Sequence, residues 1–110
     1  MAAFTQNILA DVHEAAKRRL LFLPHAIRQM TRPIPQIRPE EIRAVVLEGE
    51  IIEDYPKDAR GHSCLMLGTG HGGRAVHVVC SPKEDYLAII TAYLPDGGIW
   101  SDDYRERIKP

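Results

Sequence analysis

His77 stands in the middle of Arg74-Ala-Val-His-Val-Val-Cys80, a run whose β-branched residues mark it as a strand. An imidazole in that setting is either a core histidine hydrogen-bonded to a neighbour or a general acid or base, a role that suits its ordinary pKa of about 6.5. Side chains alternate along a strand, so Ala75, His77 and Val79 share one face while Val76, Val78 and Cys80 share the other. If helices cover Val76 and Val78, His77 points to the open side, where Thr91 or Tyr93 of the next strand could meet it. A second group of candidates lies upstream. His25, Arg28 and Arg32 are spaced three and four apart and so form one helical ridge. Together with Arg74 and Arg105 they carry planar guanidinium forks that suit a phosphate. Exposed, solvated surface is the commoner fate of such a ridge.

Other patterns are weaker. Gly68-Thr-Gly-His-Gly-Gly73 has the glycine spacing of a dinucleotide-binding turn, but it leads into another strand and not into a helix N-terminus, so a hairpin loop is expected. His62 and Cys64 share a strand face while His77 and Cys80 cannot, which argues against a four-ligand metal centre. No metal and no cofactor is called for. Cys64 and Cys80 both fall in apolar runs and read as buried free thiols.

The elements that must position these residues follow from periodicity. An apolar stripe at Phe4, Ile8, Val12, Ala16 and Leu20 predicts a helix over residues 5–23, with Thr5 as its N-cap and Lys17, Arg18 and Arg19 toward its C-terminal end. Pro24 opens a short helix to Met30, and Pro33, Pro35 and Pro39 make a stiff connector. Pro39 to Glu48 is a third helix, with two glutamates in its first turn and Gly49 as a left-handed C-cap. Strands are expected at Glu50–Tyr55, Ser63–Thr69, Arg74–Cys80 and Tyr86–Leu94, joined by turns too short for crossover helices. Trp100 to Arg107 reads as a closing helical turn capped by Ser101. The expected fold is therefore α+β, a single domain over residues 1–110: two to three N-terminal helices packed on one face of a four-stranded antiparallel meander sheet.

The apolar share of 45% and charged share of 26% are those of a soluble globular domain, and no apolar run reaches the roughly 20 residues of a membrane span. With no basic-then-apolar leader at the start, the cytoplasm is the expected compartment, with no membrane partner. The net charge is −1, but it is uneven: +3 over residues 1–43 and −4 over residues 44–110. From Ala15 to Pro39 six cations, Lys17, Arg18, Arg19, Arg28, Arg32 and Arg38, meet no acid. Such a patch attracts a polyanion.

Several segments in order resemble a bacterial and archaeal family, the domain of unknown function 4258. They are His25-Ala-Ile-Arg-Gln-Met-Thr-Arg32, Pro39-Glu-Glu-Ile42, Gly49-Glu-Ile-Ile-Glu-Asp-Tyr-Pro56, Ser63-Cys-Leu65, Arg74-Ala-Val-His-Val-Val79 and Ile89-Ile-Thr-Ala-Tyr-Leu-Pro-Asp96 with Trp100. The resemblance runs from about His25 to Arg107. It departs at Gln29, where an arginine is usual, and at Pro33-Ile34, where a glycine-isoleucine step is usual. The layout of that family is similar to small ribonuclease toxins of the RelE and BrnT kind, which is fold-level analogy. It implies metal-independent RNA cleavage, with His77 and His25 in proton transfer, Tyr93 in positioning and Arg28, Arg32 and Arg74 on phosphate. It also implies an antitoxin protein as partner. The near-neutral charge weighs against RNA binding, as do Glu50, Glu53, Asp54 and Asp58 at the border of the sheet. The competing expectation is a non-enzymatic interaction module, with an open face of Leu65, Leu67, Val79, Leu87 and Ile89 buried in a homodimer or on another protein. A third is a small-ligand binder.

Overall fold

The computed structural model describes residues 7–108. Asn7 caps the first helix, its side chain accepting the Ala10 N–H at 3.1 Å, and α1 runs Ile8–Arg18 with Val12, Ala15 and Ala16 buried. The helix start expected at Thr5, and Phe4 on its stripe, lie outside the described residues. Strand β1 (Leu20–Phe22), helix α2 (Pro24–Met30), helix α3 (Pro39–Glu48) and strands β2 (Glu50–Tyr55), β3 (Ser63–Thr69), β4 (Ala75–Pro82) and β5 (Leu87–Tyr93) follow. The three helices cover one sheet face. Their residues Val12, Ala26, Met30, Val45 and Val46 form a single core with Cys64, Met66, Val76, Val78 and Cys80.

The sheet has five strands in the order β1-β5-β4-β3-β2, not four, and it is mixed, because β1 pairs parallel to β5. The first helix was expected to reach Leu23, yet Arg19 is already extended and Leu20–Phe22 pair with Leu87, Ala88 and Ile89. Leu20 and Phe22 are half-buried while Leu21 is exposed. That alternation is a strand's, and the i, i+4 stripe concealed it. Extended backbone at Leu23 also suits the residue before Pro24.

Gly49 is not left-handed: its φ is −82°. A Cβ there would stand 2.5 Å from the Leu67 carbonyl oxygen and 2.6 Å from that of Val45, so glycine is required for close approach of α3 to the sheet. The β3–β4 connection is the hairpin expected, closed by a 3₁₀ turn at His71–Gly73 with Gly72 and Gly73 at positive φ. Cys64 and Cys80 face each other as free buried thiols.

Two bulges decide what the second face carries. Between β4 and β5 the register steps from Val79↔Thr91 to Cys80↔Ile89, leaving Ile90 as the extra residue. The set Leu87, Ile89, Thr91 and Tyr93 is therefore split. Leu87 and Ile89 join the helix-side core, while Tyr93 lies opposite His77 and faces away from the helices. In β2 the register steps from Ile51↔Met66 to Glu53↔Leu65, so Glu50, Glu53 and Tyr55 all come to that same outer face.

Trp100 to Arg107 is not a helical turn. It is a tight strap: Trp100 bridges Arg107, Ile108 donates its N–H to the Ile99 carbonyl at 2.7 Å, and Ser101 donates to Glu106 at 2.7 Å. Tyr104 within it has φ +62°.

Candidate functional site

The strap lies over the outer face of the sheet and buries His77 completely. His77 Nε2 is 2.9 Å from the Tyr104 carbonyl oxygen. A carbonyl can only accept, so the proton sits on Nε2 and the Nδ1 lone pair is left for the Tyr93 hydroxyl, 3.3 Å away. Trp100 meets the imidazole edge-on, with ring centroids 4.6 Å apart at 90°. Burial pushes the His77 pKa down, partly offset by the Tyr104 carbonyl and by Glu53, so at neutral pH the ring is an uncharged acceptor. Tyr93 is half-buried, and burial holds its phenol protonated by raising its pKa.

A carboxylate and a guanidinium stand beside this pair. Arg107 forks onto Glu53 at 2.9 and 3.1 Å, and its guanidinium lies 4.7 Å over the Trp100 ring. Tyr55 also donates its hydroxyl to Glu53, and burial together with that bond raises the Tyr55 pKa to about 12. The Arg107 hydrogen bond is the main force keeping the Glu53 carboxyl below its usual range, against the opposing effect of burial. One turn along the strap, Arg105 pairs with Glu50. The chain thus gathers a neutral imidazole, two phenols, a carboxylate and a stacked guanidinium on one sheet face. An adjacent cleft of about 480 Å³, lined by Glu48, Glu50, Asp103 and Arg105, holds neither His77 nor Tyr93.

Of the residues singled out from sequence, only His77 and Tyr93 come together. His25, Arg28 and Arg32 are exposed on α2 and its exit, and α2 packs Ala26 and Met30 into the helix-side core. The sheet separates them from His77, so His25 cannot share a proton with it. Arg74 is also unavailable to a substrate at His77. Even-numbered positions of β4 face the helices, and the Arg74 guanidinium binds Glu41 at 3.0 and 2.8 Å and the Gln36 carbonyl at 2.5 Å. It is a structural ion pair. Glu53, Tyr55 and Arg107 were missed because the β2–β3 bulge places the first two and a loop of irregular backbone places the third. The one signal for them was the cluster of acids in β2, read instead as an argument against RNA. The homodimer reading loses its premise, since Leu65 and Leu67 on the outer face are already buried by the chain's own residues.

A family described as Domain of unknown function (DUF4258) matches residues 22–94, which takes in α2, α3 and β2 to β5 and only the last residue of β1, and leaves out α1 and the strap. No curated protein and no solved structure matches the chain.

Proposed function

We propose that the chain, which belongs to the DUF4258 family, is a metal-independent ribonuclease whose proton-handling unit is Tyr93 backed by His77. The observation that carries this reading is the fixed tautomer: Nε2–H is spent on the Tyr104 carbonyl, and the Nδ1 lone pair faces a half-exposed phenol. His77 need not touch substrate. The ribose 2′-hydroxyl gives its proton to the Tyr93 oxygen as Tyr93 gives its own to His77 Nδ1, and the 2′-oxygen attacks the adjacent phosphorus. The resulting imidazolium is stabilised by Tyr104 and Glu53, and the same relay returns the proton to the departing 5′-oxygen. Atoms and charge balance, and the products are a 2′,3′-cyclic phosphate and a free 5′-hydroxyl. Arg107, beside the pair, is held by Glu53 through Nε and one terminal nitrogen, and its other, outward terminal nitrogen supplies the N–H groups and positive charge for the phosphorane oxygens. RNA as the substrate rests on the fold-level analogy to small ribonuclease toxins drawn from the sequence, and on the ability of a proton relay plus one guanidinium to run this reaction without a cofactor.

Incubating the purified chain with a labelled RNA in EDTA tests it, with mass spectrometry of the fragments. Cyclic-phosphate ends are expected, and Tyr93→Phe, which keeps the ring against His77, is expected to slow cleavage by about 10²-fold or more. Intact RNA, or equal cleavage by Tyr93→Phe, sinks the proposal. A second reading, a binding module without catalysis, attaches to a different surface, the exposed side of α2.

A further inference from the structure

We propose that the groove beside α2 is a docking surface for an acidic, apolar-anchored peptide segment of a partner protein. Phe22 at the end of β1, Ile27 and Met30 of α2, and Ile37 and Arg38 of the connector enclose about 340 Å³. Ile27 is 47% exposed and Ile34, three residues before Ile37, is 89% exposed. These are large aliphatic side chains that the core does not use.

The charge around the groove selects its occupant. Arg60, Arg74, Arg105 and Arg107 each hold a carboxylate, whereas among the described residues Arg28, Arg32 and Arg38 hold none. All three are exposed; Arg38 lines the groove itself, while Arg28 and Arg32 adjoin its lining residues Ile27 and Thr31 along the chain. No aspartate or glutamate occurs from Ala15 to Pro39, and of the two that follow, Glu41 is taken by the Arg74 side chain and Glu40 makes no ion pair with these arginines among the described residues. A basic partner is repelled, and a neutral apolar one leaves three guanidinium groups without a role. A segment that seats a leucine or phenylalanine in the groove and lays carboxylates on the rim satisfies both features. Nucleic acid would engage the arginines but not Ile27 or Ile34, since stacking requires exposed aromatic rings and the groove's Phe22 is half-buried. The wall is also preformed. Pro33, Pro35 and Pro39 stiffen the connector and the Ile37 N–H is donated to the Met30 carbonyl at 3.0 Å, so little ordering entropy is lost on binding.

The surface lies across the sheet from Tyr93, so this inference stands or falls separately from RNA cleavage. Its test is selection of a random peptide library displayed on phage against the whole chain, with counter-selection on Ile27→Asp. Ile27 is exposed enough for that variant to fold, and circular dichroism checks that it does. Peptides with Asp or Glu flanking Leu, Ile, Phe or Trp are expected to enrich. A synthetic copy of the best should lose at least about ten-fold in affinity with Ile27→Asp and with the triple change Arg28→Ala, Arg32→Ala, Arg38→Ala, and should weaken as salt rises. Three results overturn it: no enrichment over the variant, enrichment of basic or uncharged peptides, or an affinity that both variants leave unchanged.

Discussion

Glu41 carries the most strongly determined energetic consequence in this fold. Its side chain is 5% exposed and accepts four hydrogen bonds: from the His71 N–H at 2.8 Å, the Arg38 N–H at 2.9 Å, and Arg74 at 3.0 and 2.8 Å. It thereby ties the start of α3 to the β3–β4 turn and to β4. Burial alone would raise its pKa, but the Arg74 side chain, the two backbone amides and the Arg74 charge outweigh it and bring the carboxyl from 4.5 down to about 2. At about 1.4 kcal/mol per unit, that displacement is worth about 3 kcal/mol of folding stability. The folded pKa lies below the unfolded one, so the contribution is complete above about pH 4.5 and is lost as the pH falls toward 2. Glu41→Gln removes the charge and leaves Arg74 unpaired. At pH 7 the variant should unfold about 3 kcal/mol more easily, a fall of roughly 1.5 M in urea midpoint at a slope of about 2 kcal/mol/M. Urea titrations at pH 7, 5 and 3 read both quantities, and the gap between parent and variant should shrink by roughly half at pH 3. A gap under about 1 kcal/mol at pH 7, or one that stays constant down to pH 3, would refute the account of this carboxylate.

Arg74→Met should lower stability by about 3 kcal/mol yet leave RNA cleavage by the folded fraction unchanged, which steady-state rates corrected for folded population would show. The His77 pKa is depressed by burial, so the proposed relay loses its acceptor only on acidification: cleavage should be level at and above neutral pH and fall with a single proton below the ordinary imidazole range, and a profile already falling at neutral pH counts against it. Trp100 is 3% exposed against His77, and Trp100→Ala should cost about 3 kcal/mol and raise hydrogen exchange at Tyr104 and its neighbours, with unchanged exchange as the contrary result. Gly68→Ala would put a Cβ 2.9 to 3.1 Å from Val45, and about 1–3 kcal/mol of overpacking should appear as a lower thermal midpoint.

Much of this molecule is local in origin. The stripe at Ile8, Val12 and Ala16, the proline openings at Pro24 and Pro39, and the turn clusters around Gly70, Pro82 and Asp96 specify three helices followed by a meander, because periodicity and dihedral preference act within a few residues. They also place His77 on the sheet face opposite that of Val76 and Val78, since alternation along β4 requires nothing distant. The rest depends on partners far along the chain. Leu20–Phe22 become a strand because β5, some 67 residues later, pairs with them. Glu53 and Tyr55 reach the His77 face because β2 slips by one residue against β3, and Thr91 and Tyr93 do so because Ile90 bulges out of register with β4. Arg74 is withdrawn from any anion at that face by Glu41, 33 residues before it, and Arg107 is brought there by a strap of irregular backbone whose shape no short-range period encodes. A one-residue slip changes which face every later side chain occupies, and only the packed sheet sets it.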